Sequence, residues 1–301
     1  MNYPYFDGHC DTLSRCLQTG ESLKRNSGQC DLDRLGKYRP CGQIFAMYHD
    51  CGGMMPQGGV TPLVNRMYAL FCREKQRYPQ EMRRALLSVE GAELLKCSVE
   101  RLKEVRSWQL CSINLTWNHA NALSGSHREE PERGLSRQGR AFVCAAQKMG
   151  IFMDVSHLSD AGFWDLAEMT QLPLFASHSN SRAVCGHSRN LTDAQFLAIR
   201  DSGGVVGINL FRGFVGGDSM EQLLAHFDHF LEIGGEKTLA LGADWDGGIQ
   251  AAGGIRGVED MCLLAQAMER HGYGAKLVSD IFYGNLARLM GLPEQEEETN
   301  S

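Results

Sequence analysis

Eight short apolar runs recur along the 301-residue chain, at residues 3–7, 43–48, 85–89, 110–116, 151–155, 172–176, 205–210 and 238–243. Each has the length of a strand, and most are separated by an amphipathic segment long enough for a helix. Those segments fall at residues 61–78, 99–108, 137–149, 160–169, 192–200 and 220–233, with two more at 258–270 and 275–290. Thr61 and Pro62 open the first as a capping residue and a proline at the first helical position. Gly150, Gly203-Gly204 and Gly234-Gly235 follow three of the others, where glycine ends a helix at little conformational cost. Strands alternating with helices imply a parallel sheet. Eight such units in about 300 residues predict an α/β fold, a closed (β/α)8 barrel of the TIM type. Count alone leaves an open sheet as the alternative. No linker divides the chain, so residues 1–301 are expected to form one domain, with a flexible acidic tail at 294–301. Residues 12–39 show no clear helical period and are expected to carry extra loop structure.

In such a barrel the functional site is built at the C-terminal ends of the strands, and six of the eight ends carry chemistry. The first run finishes in Asp7-Gly8-His9-Cys10-Asp11 and the third in Val89-Glu90-Gly91. The fourth leads into Thr116-Trp117-Asn118-His119, the fifth into Asp154-Val155-Ser156-His157 and the sixth into Ser177-His178-Ser179. The eighth ends in Ala243-Asp244-Trp245-Asp246. Along an extended strand His9 and Asp11 share a face. The bland alternative for Asp11 or Thr12 is a helix N-cap.

Imidazoles and carboxylates ligate zinc and similar divalent ions. His9, Asp11, Glu90, His157 and His178 are more ligands than one open tetrahedral site needs. Two metals sharing a bridging carboxylate fit better, with Glu90 as the bridge. His9, Asp11 and Glu90 would hold one ion, and Glu90, His157 and His178 the other. A hydroxide between the ions would be the nucleophile, because bound metal lowers the pKa of water. Asp244 at the last strand would carry a proton to a leaving amine; Asp246 is its rival. Arg182 and Arg189, in the polar loop after His178, could each grip a substrate carboxylate with a bidentate fork, and the residues alone do not separate them. His49, His127, His226 and His229 read as structural or surface residues, and Cys10 as packing. Residues 51–55 read as a flexible loop at the mouth.

Composition narrows the class further. A net charge of −6 gives no support to nucleic-acid binding. No apolar stretch reaches the length of a membrane span, and no basic segment with an apolar run opens the chain as a secretory signal would. The 11 cysteines are scattered with no CxxC pair, so reduced thiols and a cytoplasmic setting are expected.

Taken in order, the motifs around His9, Glu90, His157, His178–Asn190 and Asp244–Gly247 resemble the membrane (renal-type) dipeptidase family over nearly the whole chain. The resemblance implies a (β/α)8 barrel with two zinc ions that hydrolyses dipeptides, in many members with a D-residue on the carboxyl side. It matches His9, Asp11, Glu90, His157 and His178 to the metal ligands, with Glu90 bridging and catalytic. It matches Arg189, not Arg182, to the arginine that holds the substrate carboxylate, and Asp244 to the acid at the last strand. One departure is visible. Some members carry a histidine directly after the Leu-Thr of strand four. Here Trp117-Asn118-His119 follows Leu115-Thr116, so the histidine is displaced by two positions, which is expected to keep the strand face and move it up the barrel. Trp117, Asn118 and His119 are therefore the candidate substrate-binding residues of that strand end. A homodimer is the default expectation. Two other functions stay open from sequence: hydrolysis of another small amide or lactam, and a metal- or ligand-binding barrel without catalysis.

Overall fold

Eight parallel strands close into a barrel in the order in which they occur in the chain. They are β1 (Tyr5–Cys10), β2 (Cys41–Tyr48), β3 (Ala85–Glu90), β4 (Ser112–Asn114), β5 (Phe152–Asp154), β6 (Phe175–Ala176), β7 (Val205–Ile208) and β8 (Leu239–Leu241). Asp7 pairs with Leu241 to join β1 to β8. This computed structural model describes residues 3–53 and 56–293. The acidic tail, and Met54 and Met55 of the mouth loop, lie outside the described residues.

The helices Val60–Arg77, Val99–Glu104, Arg137–Gln147, Asp160–Met169, Asp193–Asp201, Met220–Glu232 and Met261–Arg270 stand where the amphipathic segments place them. Gly150, Gly203 and Gly234 all have positive φ, as the stop signals require. The final segment is less regular. It runs as Ala275–Ser279, a π-helical turn at Asp280–Gly284, and Asn285–Leu289.

Residues 12–39 depart from expectation, because they hold two helices, Thr12–Thr19 and Leu32–Leu35. The first buries Leu13 and Cys16, and its Ser14 hydroxyl accepts the Tyr48 N–H at 3.0 Å. Its eight residues are too few to hold a helix alone, so these tertiary contacts keep it in place.

Two apolar regions build the core. One lies between strands and helices. The other gathers Phe6, Ile44, Phe175, Val205 and Ala240 with Tyr283, Leu286 and Ala287 of the C-terminal segment. Higher in the barrel the space narrows around the Ser177 carbonyl. A Cβ added at Gly8, Gly207 or Gly242 would come within 2.7, 2.1 or 1.9 Å of that oxygen. These close backbone approaches form a floor beneath the strand ends.

Candidate metal centre

A β-bulge decides where His9 points. Asp7 pairs with Gln43 and Cys10 with Phe45, so β1 spends three steps where β2 spends two. Tyr5 and Asp7 face outward, toward Tyr38 and Gln43, and a regular strand would send His9 the same way. The extra residue re-aims it into the barrel mouth and sends Cys10 into the outer core, as expected of a packing residue. Asp7 secures the bulge: its buried carboxylate accepts from His9 N, Gln43 Nε2, Tyr5 OH and Ala243 N at 2.9–3.1 Å. Asp154 does the same between β5 and β6, where its Oδ1 accepts from Ser156 N and Ser177 N, each at 3.0 Å.

The five expected ligands come together. Glu90 Oε2 is 3.5 Å from His9 Nε2, while Oε1 is 2.9 Å from His157 Nε2 and 3.5 Å from His178 Nε2. Each carboxylate oxygen thus faces a different half of the cluster. His9 Nε2 also lies 3.9 Å from Asp11 Oδ2 and 3.9 Å from Asp244 Oδ1. Three triplets place their ligand atoms within 4.8 Å of one another: His9, Asp11 and Glu90; Glu90, His157 and His178; His9, His178 and Asp244. Asp11 stands at the N-cap position of Thr12–Thr19 but makes no side-chain cap bond. Its carboxylate turns to the cluster instead.

These residues fit a divalent metal. His9 Nε2 and Asp11 Oδ1 are buried without a hydrogen-bond partner among the described residues, a costly state unless something else satisfies them. Burial, with the charges of Arg189 and of neighbouring histidines, lowers His157 and His178 well below the ordinary imidazole value. Both are therefore neutral, the form that ligates metal. Burial pushes Glu90 up to about 7. Burial also works against charge on His9, but Glu90 and Asp11 outweigh it and raise that imidazole well above its usual value. Without a metal, this half of the cluster holds a proton where a cation fits.

The last strand separates two rival aspartates. Asp244 Oδ2 accepts from Asn209 Nδ2 at 3.0 Å, leaving Oδ1 toward His9. Asp246 is committed elsewhere: it accepts from Thr12 Oγ1 at 2.6 Å and Gln29 N at 2.7 Å, and its own N–H donates to Gln29 Oε1. It latches the segment before Leu32–Leu35 onto the barrel. His157, Asp244 and Asp246 all have left-handed backbone, with φ of 72°, 65° and 64°. Each costs on the order of 1–3 kcal/mol and persists because the surroundings over-determine it. Gly247 permits the crowding, since a Cβ there would lie 2.6 Å from Asp244 Oδ1 and 3.0 Å from Asp11 Oδ2. Gly247→Ala is expected to lower kcat/KM about 10–100-fold by displacing these carboxylates, with little change in melting temperature. Unchanged kinetics would show that the two carboxylates tolerate displacement.

The two loop arginines also separate. Arg182 is bound bidentately to Asp160 at 2.7 and 2.8 Å. Arg189 is 4% exposed. Its guanidinium lies over the Phe214 ring and makes long hydrogen bonds, 3.4 Å to Ser179 Oγ and 3.4 Å to the His178 carbonyl, and its Nε has no hydrogen-bond partner among the described residues. Burial lowers it to about 10, so it stays charged at neutral pH.

At the end of β4 the placement differs from strand-face reasoning. β4 stops at Asn114, so residues 117–119 belong to a loop. Trp117 packs beside the cluster, its ring centroid 6.1 Å from that of His157 and 5.1 Å from that of Tyr48. Asn118 Oδ1 is 2.9 Å from His157 Nδ1. His119 is held at the rim, with Nδ1 2.8 Å from Glu129 and Nε2 3.2 Å from Asp50. It lines a cavity of about 340 Å³ with His49, Cys51, Glu93 and Trp117. His226 is buried on Met220–Glu232, where it meets Ser181 N and the Val215 carbonyl, and His229 pairs with Asp193. Sequence reasoning gave no role to Asp7, Asp154, Asn209 or Gly247. The available signal was an aspartate two or three residues before His9 and His157.

A closed parallel barrel with a His/Asp/Glu cluster at its C-terminal mouth defines the barrel metallohydrolase class. The chain belongs to the membrane dipeptidase family, peptidase family M19, whose model matches residues 1–301. It is thus an enzyme of the metallo-dipeptidase class, a hydrolase acting on peptide bonds. A metallopeptidase from Rhodobacter sphaeroides, solved with a phosphinate mimic of the dipeptide L-Ala-D-Ala, is similar over 97% of this chain and 99% of its own, with 26% identity and a TM-score of 0.86. Dipeptidase AC, a metallopeptidase of family M19, is 27% identical, with a TM-score of 0.84 over 96% of this chain and 98% of its own. An uncharacterised protein in the pqqA 5′ region of Klebsiella pneumoniae is 34% identical over 192 residues, 60% of this chain and 70% of that protein. Among the described residues no helix is long and apolar enough to cross a membrane.

Proposed function

We propose that the chain is a dinuclear zinc dipeptidase that accepts a D-residue on the carboxyl side, the stereochemistry which the Rhodobacter sphaeroides ligand mimics. In this assignment Glu90 bridges, His9 and Asp11 complete one site, and His157 and His178 complete the other. Divalent ions there supply Lewis acidity toward a carbonyl and lower the pKa of bound water. The observation that carries the choice of substrate is Arg189, a buried cation with no carboxylate bonded to it among the described residues, touching the backbone of His178. A buried charge calls for a counter-ion, and a dipeptide brings one a single residue past its scissile bond. Arg189 fixes that carboxylate and so selects length. Asp244, oriented by Asn209, takes up a proton at Oδ1 and returns it to the leaving amine. Trp117 walls the mouth beside His157.

The test is metal content per chain together with hydrolysis of L-L, L-D and D-D dipeptides and of their C-terminal amides. About two zinc per chain, as a dinuclear site requires, and cleavage of acids but not amides, are expected. Equal rates on amides would remove Arg189 from substrate binding. Failure to take up zinc would remove the ligand assignment.

A further inference from the structure

His157 is braced from a direction that the cluster itself does not explain. Asn118 Oδ1 lies 2.9 Å from His157 Nδ1 and also 2.9 Å from His127 Nε2. One amide oxygen has two lone pairs and can accept from both rings. That arrangement puts a proton on His157 Nδ1 and leaves Nε2 bare, facing Glu90 Oε1 and His178 Nε2. A bare nitrogen is what a metal needs. Turned around, the amide would donate to His157 Nδ1 and drive the proton onto Nε2. An N–H on His127 Nε2 forbids the turn, because two donors would then collide. His127 can hold its proton there because Ser188 Oγ, 2.9 Å from its Nδ1, can donate to that nitrogen.

The backbone repeats the connection. His127 N–H donates to the His157 carbonyl at 2.9 Å, helping to hold a residue whose φ is 72°. At the other end, Ser188 directly precedes Arg189, and its carbonyl accepts from Arg182. His178 has a shorter device, its Nδ1 lying 2.6 Å from the hydroxyl of Ser177.

We propose that His127 is a positioning residue: through Asn118 it fixes the tautomer of His157, and through Ser188 it ties that ligand to the loop carrying Arg189. The inference rests on His157 binding metal. Outer partners of this kind are typically worth about 10–100-fold in metal affinity.

The experiment measures Zn2+ affinity of the metal-free chain by competition with a chelator, with Co2+ absorption as a second readout of coordination. His127→Phe is expected to keep the fold and the tighter Zn2+ step, weaken the other about 10–100-fold, and raise KM for a dipeptide. His127→Gln, which can present an N–H to Asn118, is expected to recover most of the loss. The decisive background is Asn118→Asp. A carboxylate cannot donate, so it holds the His157 tautomer without help. In that background His127→Phe is expected to cost nothing in Zn2+ affinity. Wild-type Zn2+ affinities in His127→Phe, or an equal loss in the Asn118→Asp background, would overturn the proposal. A wild-type chain that takes up fewer than two ions would instead overturn the ligand role of His157.

Discussion

Glu90→Gln is expected to weaken both halves of the metal cluster at once and to abolish hydrolysis, while the chain stays folded. Each Glu90 oxygen faces a different set of nitrogens, so this one change reaches all three histidines. The loss in affinity should exceed the roughly 10–100-fold that removal of an outer partner costs. The metal-free protein gives a contrasting signature. Burial raises Glu90 to about 7, above its ordinary value, so the folded state binds a proton that the unfolded chain has released. Stability of the metal-free wild type therefore falls as pH rises from the usual carboxylate range through 7. Glutamine carries no such charge. At pH 8 the metal-free variant should melt at or above the metal-free wild type, and the gap should close toward pH 5. Added zinc should reverse the order by stabilising only the wild type. Melting curves at two pH values, with chelator or zinc, check all of this. A variant that binds two zinc ions with wild-type affinity would remove Glu90 from the bridge.

The alternation of strand and helix was legible because each unit buries one face, and burial imposes a period on the sequence. The strand ends were less legible. Apolar runs at 110–116, 151–155 and 172–176 shrink to Ser112–Asn114, Phe152–Asp154 and Phe175–Ala176. Past β5 and before His178, the N–H groups of Ser156 and Ser177 go to the Asp154 carboxylate instead of to a neighbouring strand. A buried aspartate that takes over ladder hydrogen bonds leaves no apolar signature. The helix Thr12–Thr19 was missed for a related reason, because it is only eight residues long and a latch through Thr12 to Asp246, with burial of Leu13 and Cys16 among others, stabilises it.

The candidate ligands were legible because histidine and carboxylate at strand ends are few and chemically specific. Their aim was not. His9 faces the cluster by virtue of a bulge, and nothing in Asp7-Gly8-His9 announces the extra residue. His9 and Asp11 are neighbours, as strand alternation predicts, although the strand is irregular at that point. Beyond β4 strand alternation no longer applies, since residues 117–119 are past the strand and His119 is drawn to Asp50 and Glu129. Asn118 then matters more for what it does to His157 than for its distance from the strand.

Asp244→Asn should lower kcat by about 10²–10⁴-fold, the usual worth of general acid–base catalysis, with two metal ions retained. Asparagine preserves the shape and can still accept from Asn209 through one oxygen, so the loss is of proton transfer rather than position. KM should change little, because the proposed grip on the substrate carboxylate belongs to Arg189 and not to Asp244. Asp246→Asn should behave in the opposite way. Its partners are Thr12 and Gln29, so it should lower melting temperature while leaving kcat largely intact. Running the two variants together guards against a general effect of removing a charge from the mouth. Asp244 also shares a triplet with His9 and His178, and metal content decides between its two possible duties. Loss of an ion along with activity would make Asp244 a ligand. Two ions retained with kcat reduced would leave it the proton carrier, and two ions retained with kcat unchanged would return that role to another group.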